Sequence, residues 1–170
     1  MLANPQRGRY ARAMSLCYVE TPIGRLALKA EGDRLVGSWW ASPGERASKA
    51  NPAKPAPVLR EAARQVDRYF RRKLKRFDLP IEMRGTEHQK RVWSMMREIP
   101  FGGIATYGGI AAAINSAPRA VGTACGRNPL PVIVPCHRVL GSGGTIGGYS
   151  GGRGLATKRD LLALEGVTVA

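Results

Sequence analysis

The chain has 170 residues, 44% of them apolar, and 27 Lys and Arg against 12 Asp and Glu give it a formal charge of +15. That length buries one full core, or two small ones, without disulfides or metals, and no apolar run approaches the roughly 20 residues that cross a bilayer, which argues against a membrane protein. The charge points to a partner of dense negative charge, most simply nucleic acid, with generic solubility as the plain alternative.

Residues 1–13 are basic but are not followed by the apolar stretch of a signal peptide, which predicts a disordered leader on a cytoplasmic protein. Cys17, Cys125 and Cys136 are an odd, widely spaced set. They lack zinc spacing and do not make a disulfide framework, so no metal is expected and at least one thiol stays free.

Leu16–Val19, Leu26–Leu28 and Leu35–Trp40 are short apolar runs separated by turn-like Pro22-Ile23-Gly24 and Glu31-Gly32-Asp33, an antiparallel meander by pattern. Residues 41–57 are rich in Ala, Pro, Ser and Lys and read as a linker. From Pro57 to about Lys73 the period becomes helical, with Leu59, Ala62, Ala63, Val66, Tyr69 and Phe70 on one face. The cluster Arg71-Arg72-Lys73 and Lys75-Arg76 follows it, either a long-range attractor for anions or a solvated helix end. Phe77–Ile81 is expected to return as a strand. A domain boundary falls near Met83-Arg84-Gly85, dividing residues 14–83 from 84–170.

The second part reads as mostly helical. Thr86 and Gln89 make a capping box for a helix with Val92, Trp93, Met96 and Ile99 on one face. Thr106 caps a short helix carrying Ile110, Ala111 and Ile114, and Pro118 starts another that runs to about Gly126. Two short helices joined by a tight turn make a helix-turn-helix. A closing helix spans about Thr157 to Glu165, ended by Gly166.

Four features carry chemistry. Ala120, Gly122, Thr123 and Ala124 strip the second helix of bulk. Such a helix fits a minor groove only about 6 Å wide, or packs closely on a neighbour. Arg119 is its one long cation. Pro135-Cys136-His137-Arg138-Val139 sets a thiol beside an imidazole after the apolar run Val132-Ile133-Val134, expected as a strand ending in a turn. A free thiol has a pKa near 8.5, and a neighbouring imidazole, reached through a bridging water, raises its thiolate fraction. Glu165 is placed to orient that imidazole; an inert buried cysteine with a hydrogen-bonded histidine is the plain alternative. Cys17 and Cys125 read as structural. Gly141–Gly152 is a glycine-rich loop whose exposed backbone can approach a flat ligand, and it has neither a P-loop ending nor a dinucleotide fingerprint. Asn128-Pro129 reads as a tight turn.

In order, Thr86, Gln89, Val92-Trp93, Ile99-Pro100, Thr106-Tyr107-Gly108, Arg119-Ala120-Val121-Gly122, Asn128-Pro129, Pro131, Pro135–Val139, Gly148–Gly152, Lys158 and Glu165-Gly166 resemble the O6-alkylguanine-DNA alkyltransferase family. The resemblance is dense over residues 85–166 and loose before them. It implies a ribonuclease-H-like α/β domain with an antiparallel sheet plus helix, followed by a mostly helical, winged helix-turn-helix-like domain. It also implies single-turnover transfer of an alkyl group from guanine O6 in double-stranded DNA to Cys136, without a cofactor, by a monomer. By position His137 and Glu165 would activate Cys136, and Asn128 would hold its turn. Tyr107, Pro131, Val139, Tyr149, Ser150 and Lys158 would surround the base, and Thr106, Arg119, Ala120, Gly122 and Thr123 would meet DNA. A base inside a duplex cannot be reached unless it is rotated out. Departures are His88 for an aromatic, Gly109 for an acid, and two residues added around Arg153-Gly154. The rivals are a non-enzymatic lesion sensor, against which the thiol argues, and a Cys-His-Glu thiol hydrolase, which would turn over.

Overall fold

The three apolar runs pair as an antiparallel sheet, β1 (Met14–Thr21), β2 (Gly24–Glu31) and β3 (Arg34–Trp40), in that order. The coordinates are a computed structural model describing residues 13–45 and 55–169. Nearly all of the basic leader and the middle of the predicted linker lie outside the described residues. Leu26, Leu28 and Ala30 alternate along β2 and are fully buried, with Cys17 of β1 opposite Leu28. Helix α1 (Pro57–Phe70) begins with proline at its first turn, where no donor is needed. It buries Leu59, Ala62, Val66 and Tyr69 at three- and four-residue spacing, each large apolar side chain contributing about 1.5–3 kcal/mol.

α1 stops at Phe70, short of the expected Lys73. Arg72 turns left-handed with φ 59°, and its amide and that of Lys73 donate back to Tyr69 O and Arg68 O at 2.8 Å each, which satisfies carbonyls at the helix end. Phe77–Ile81 is not a strand. A single parallel bridge joins Ile81 to Leu35, because Pro80 has no amide to donate and only its carbonyl joins β3, accepting from Leu35 N at 2.9 Å.

Helix α2 (Glu87–Arg97) carries the full capping box, Thr86 accepting from Gln89 N while the Gln89 side chain accepts from Thr86 N. Its Trp93 donates to Ala124 O at 2.9 Å and so docks α2 on α4. Strand β4 (Ala105–Thr106), helix α3 (Tyr107–Ala113) and helix α4 (Pro118–Gly126) follow, α3 and α4 forming the helix-turn-helix. Of the sequence departures, His88 Nε2 meets Ser116 Oγ at 2.8 Å, and Gly109 N donates to the Thr106 cap at 2.9 Å. β5 (Val139–Leu140) pairs in parallel with β4, and α5 (Leu155–Leu164) closes the chain. α5 begins two residues earlier than expected, just after Arg153-Gly154: Gly154, with φ 61°, is its N-cap residue, and Arg153 N donates to Thr157 Oγ1 at 2.9 Å.

Candidate active site

Val132–Val134 is a turn, not the expected strand. Pro129, Pro131 and Pro135 remove the donors a ladder needs, and Val132 sits at φ 76°. Asn128 folds the segment on itself. Its Nδ2 donates to Val134 O at 2.7 Å and its Oδ1 accepts from Leu130 N at 3.0 Å, beside the backbone bond Val134 N to Leu130 O at 2.8 Å. The free edge of β3 fixes the turn from outside: Ser38 N donates to Pro129 O at 2.9 Å and Ser38 Oγ to Pro131 O at 2.8 Å. A 3₁₀ turn, Cys136–Arg138, then carries the thiol.

Cys136 is half-buried and lines a cavity of about 460 Å³ with Tyr107, Gly122, Asn128, Pro131, Tyr149 and Ser150, a volume within the usual range for small-molecule sites. Cys125 also lines it, although the sequence reads it as structural; it is buried and its thiol points at Met96 Sδ, 3.5 Å away. Val139 and Lys158 stand behind the wall, both fully buried. The Lys158 ammonium donates to Val139 O at 2.6 Å and Gly148 O at 3.3 Å and lies 5.8 Å from the centre of the Tyr107 ring. On α4, Arg119 and Thr123 are exposed and Ala120 and Gly122 half-buried, while Thr106 caps α3.

Behind Cys136, His137 is fully buried and its Nε2 lies 2.8 Å from Glu165 Oε1. Five donors converge on that carboxylate. Oε1 receives Tyr69 Oη at 2.6 Å, His137 Nε2 and Arg138 Nη2 at 2.9 Å; Oε2 receives Arg138 Nε at 2.9 Å and Gly102 N at 3.1 Å. Burial alone would raise the Glu165 carboxyl, but the bonds from His137 and Arg138 and their charges hold it well below the usual carboxylate range. An ionised carboxylate only accepts, so His137 carries its proton on Nε2 and presents a bare Nδ1. Nδ1 is buried and has no hydrogen-bond partner in the protein.

The electrostatics set a resting state. Burial pushes the Cys136 thiol up, against the pull of the Asn128 side chain, the Lys158 charge and the turn's own amides. Burial likewise lowers His137, although Glu165 opposes it. The resting pair is therefore a thiol beside a neutral imidazole. Burial also raises Tyr107 to about 12, so its phenol keeps its proton, and it lowers Lys158.

Three residues of this arrangement escape sequence reasoning. Arg138 was visible as a lone charge in an apolar stretch; Tyr69 looked like one more core aromatic of α1. Ser38 left the faintest trace, a hydroxyl inside an apolar strand. Among the described residues no group of three or more His, Cys, Asp or Glu could hold a metal, and no helix is long and apolar enough to cross a membrane.

Comparison with known proteins is consistent along the chain. Residues 14–83 match the family model of the 6-O-methylguanine DNA methyltransferase ribonuclease-like domain, and residues 87–167 match that of the DNA binding domain. A methylated-DNA–protein-cysteine methyltransferase of Mycolicibacterium paratuberculosis is 39% identical over 149 residues, covering 86% of this chain and 89% of that protein. The constitutive methylated-DNA–protein-cysteine methyltransferase of Bacillus subtilis is 38% identical over 156 residues, covering 88% and 93%. Among solved structures, Mycobacterium tuberculosis OGT in complex with DNA superposes with a TM-score of 0.78 at 39% identity, covering 89% of this chain and 92% of that one.

Proposed function

The chain belongs to the O6-methylguanine DNA methyltransferase family, and from that premise we propose that it repairs double-stranded DNA by moving an alkyl group from guanine O6 to Cys136. The observation that carries this reading is a half-buried thiol lining a base-sized cavity, with a carboxylate-oriented imidazole as its sequence neighbour.

Nδ1 of His137, which has no protein partner, takes the Cys136 proton through one bridging water, and Glu165 stabilises the imidazolium that forms. The thiolate attacks the alkyl carbon: the S–C bond forms as the C–O6 bond breaks, and the electron pair leaves with guanine. Tyr107, still protonated, donates to the departing base, and the Lys158 ammonium stabilises its charge through the same wall. Pro131, Tyr149 and Ser150 enclose the ring, and Val139 fixes Lys158. The product thioether has no group positioned to hydrolyse it, so each protein reacts once.

Residues 84–170 supply acceptor and DNA contacts; residues 14–83 support the turn through Ser38. The small face of α4, Ala120, Gly122 and Thr123, approaches the minor groove as a monomer, with Thr106 at the start of α3. Arg119 fills the stack left by the rotated nucleotide. Phosphate contacts by Lys and Arg give sequence-independent, salt-sensitive affinity.

Intact mass spectrometry after incubation with a duplex containing O6-methylguanine tests this. One added methylene per protein, mapped to Cys136 and absent in Cys136→Ala, is expected. Binding without mass gain would mean a lesion sensor, and product beyond one equivalent would mean a hydrolase.

A further inference from the structure

Cys136 faces the base cavity, but its neighbour Pro135 faces a second one. That cleft, about 250 Å³, is lined by Lys75, Arg76 and Phe77 from the segment after α1, by Arg97–Phe101 from the end of α2, and by Ile133, Pro135 and Arg138. It shares no residue with the base cavity. We propose that it is a phosphate-binding cleft on the reverse side of the nucleophile's turn.

Charge is the first support. Lys75, Arg76 and Arg97 are exposed, and none has an ion pair or side-chain hydrogen bond among the described residues. Most other cations near carboxylates are engaged: Arg25, Arg64, Arg71, Arg84, Lys90 and Arg153 each pair with an acid. The one carboxylate in the cleft lining is Glu98. Arg138 adds little attraction, because Glu165 already neutralises it. Three free cations on one concave rim are mutually repulsive, and an anion relieves that repulsion.

The backbone is the second support. The rim segment Lys75–Phe77 is delivered by the left-handed Arg72, φ 59°, a conformation that residues other than glycine adopt only sparsely. It brings two cations from the first part of the chain against Arg97 from the second. Phe77 is fixed against Tyr69, ring centres 5.3 Å apart, and Phe101 likewise at 5.9 Å, so the walls are rigid where the rim is charged. Guanidinium groups suit a phosphate because they can donate two bonds at once.

The phosphate could come from a free anion or nucleotide, or from the backbone of a duplex. Only the duplex arm rests on the repair reading above. The test uses the isotopically labelled full-length protein and an Arg76→Gln/Arg97→Gln double variant. Inorganic phosphate, added at constant ionic strength against chloride, should give saturable amide shifts at Lys75–Phe77 and Arg97–Phe101. The variant should bind at least about tenfold more weakly. In parallel, affinity for an undamaged duplex is measured against salt. If the cleft holds backbone phosphates, the slope of log K on log salt should shrink by about two in the double variant, and not in a Lys29→Gln/Arg34→Gln control on the sheet. Phosphate shifts with an unchanged slope assign a free anion; a reduced slope assigns the duplex. The absence of both responses, with no saturable shifts and an unchanged slope, overturns the proposal. Alkyl transfer from the free base O6-benzylguanine should be equal in the double variant and the unaltered protein, and its failure in both would count against the repair reading alone.

Discussion

His137 Nε2 lies 2.8 Å from Glu165 Oε1, and this bond decides which imidazole nitrogen can take a proton. Because Glu165 is ionised and accepts only, the hydrogen sits on Nε2 and Nδ1 is left basic. The same carboxylate also neutralises buried Arg138. One side chain thus sets a tautomer and satisfies a core charge.

Glu165→Gln separates those two duties from mere space-filling. The amide can orient its nitrogen toward His137 and reverse the tautomer, and it leaves Arg138 buried without a counter-charge. Transfer to Cys136 should slow by about 10²–10⁴-fold, the usual worth of a general base. Stability should fall by about 3–5 kcal/mol, as when one partner of a buried ion pair is removed. Single-turnover kinetics at a temperature where the variant is still folded, together with urea unfolding, check both.

Stability should rise with pH across the acid range. His137 titrates below its ordinary value when folded, so between that value and about 6.5 the unfolded chain holds an extra proton and stability is lost as pH falls. Glu165 acts in the same direction: its folded value is depressed, so the unfolded chain takes up its proton first as pH falls below about 4.3. Each group contributes a slope of at most about 1.4 kcal/mol per pH unit. Urea midpoints between pH 4 and 8 should climb, and His137→Gln should flatten the upper part of that climb. A midpoint that falls with rising pH over this range would contradict the buried neutral imidazole.

Ser38→Ala probes a support that lies outside the cavity. Ser38 is 5% exposed and its hydroxyl holds Pro131 O at 2.8 Å. Losing that donor should cost about 1–3 kcal/mol and loosen the turn that aims Cys136. The transfer rate should fall with no change in affinity for undamaged duplex. An unaltered rate would show that the Asn128 braces and the backbone bonds, including Ser38 N to Pro129 O, fix the turn without the hydroxyl.

How legible this was follows from the range over which each signal acts. The meander, the capping box of α2 and the helix-turn-helix were all readable because caps, turns and apolar period are local, as Thr86 with Gln89 illustrates. His137 and Glu165 were readable as partners through a pattern of motifs. The turn at Val132–Val134 was misread because three β-branched residues favour a strand, while the three surrounding prolines and the Asn128 braces decide otherwise. Ser38 reaches Pro131 across 93 residues, and Tyr69 reaches Glu165 across 96. Such pairs are set by how the sheet packs on the helical part, and no local pattern encodes them.

The outer wall of the base cavity rests on the first part of the chain in the same way, and a single methyl group tests it. A Cβ at Gly151 would lie 2.9 Å from Trp40 Cδ1 and 3.0 Å from Tyr149 Cε1. Trp40 is almost fully buried, packed edge-on to Phe70 and donating to Tyr149 Oη at 3.4 Å. It cannot retreat, so in Gly151→Ala the Tyr149 ring must move toward the cavity it lines. Overpacking of this kind costs about 1–3 kcal/mol. The narrowed cavity should slow transfer from O6-benzylguanine more than from O6-methylguanine, so the benzyl-to-methyl rate ratio drops. Gly148→Ala is the control, since a Cβ there meets nothing within 4 Å although the residue lines the same cavity; its ratio should stay unchanged. Equal slowing of both substrates in Gly151→Ala would mean that Trp40 supports the loop without shaping the space for the alkyl group.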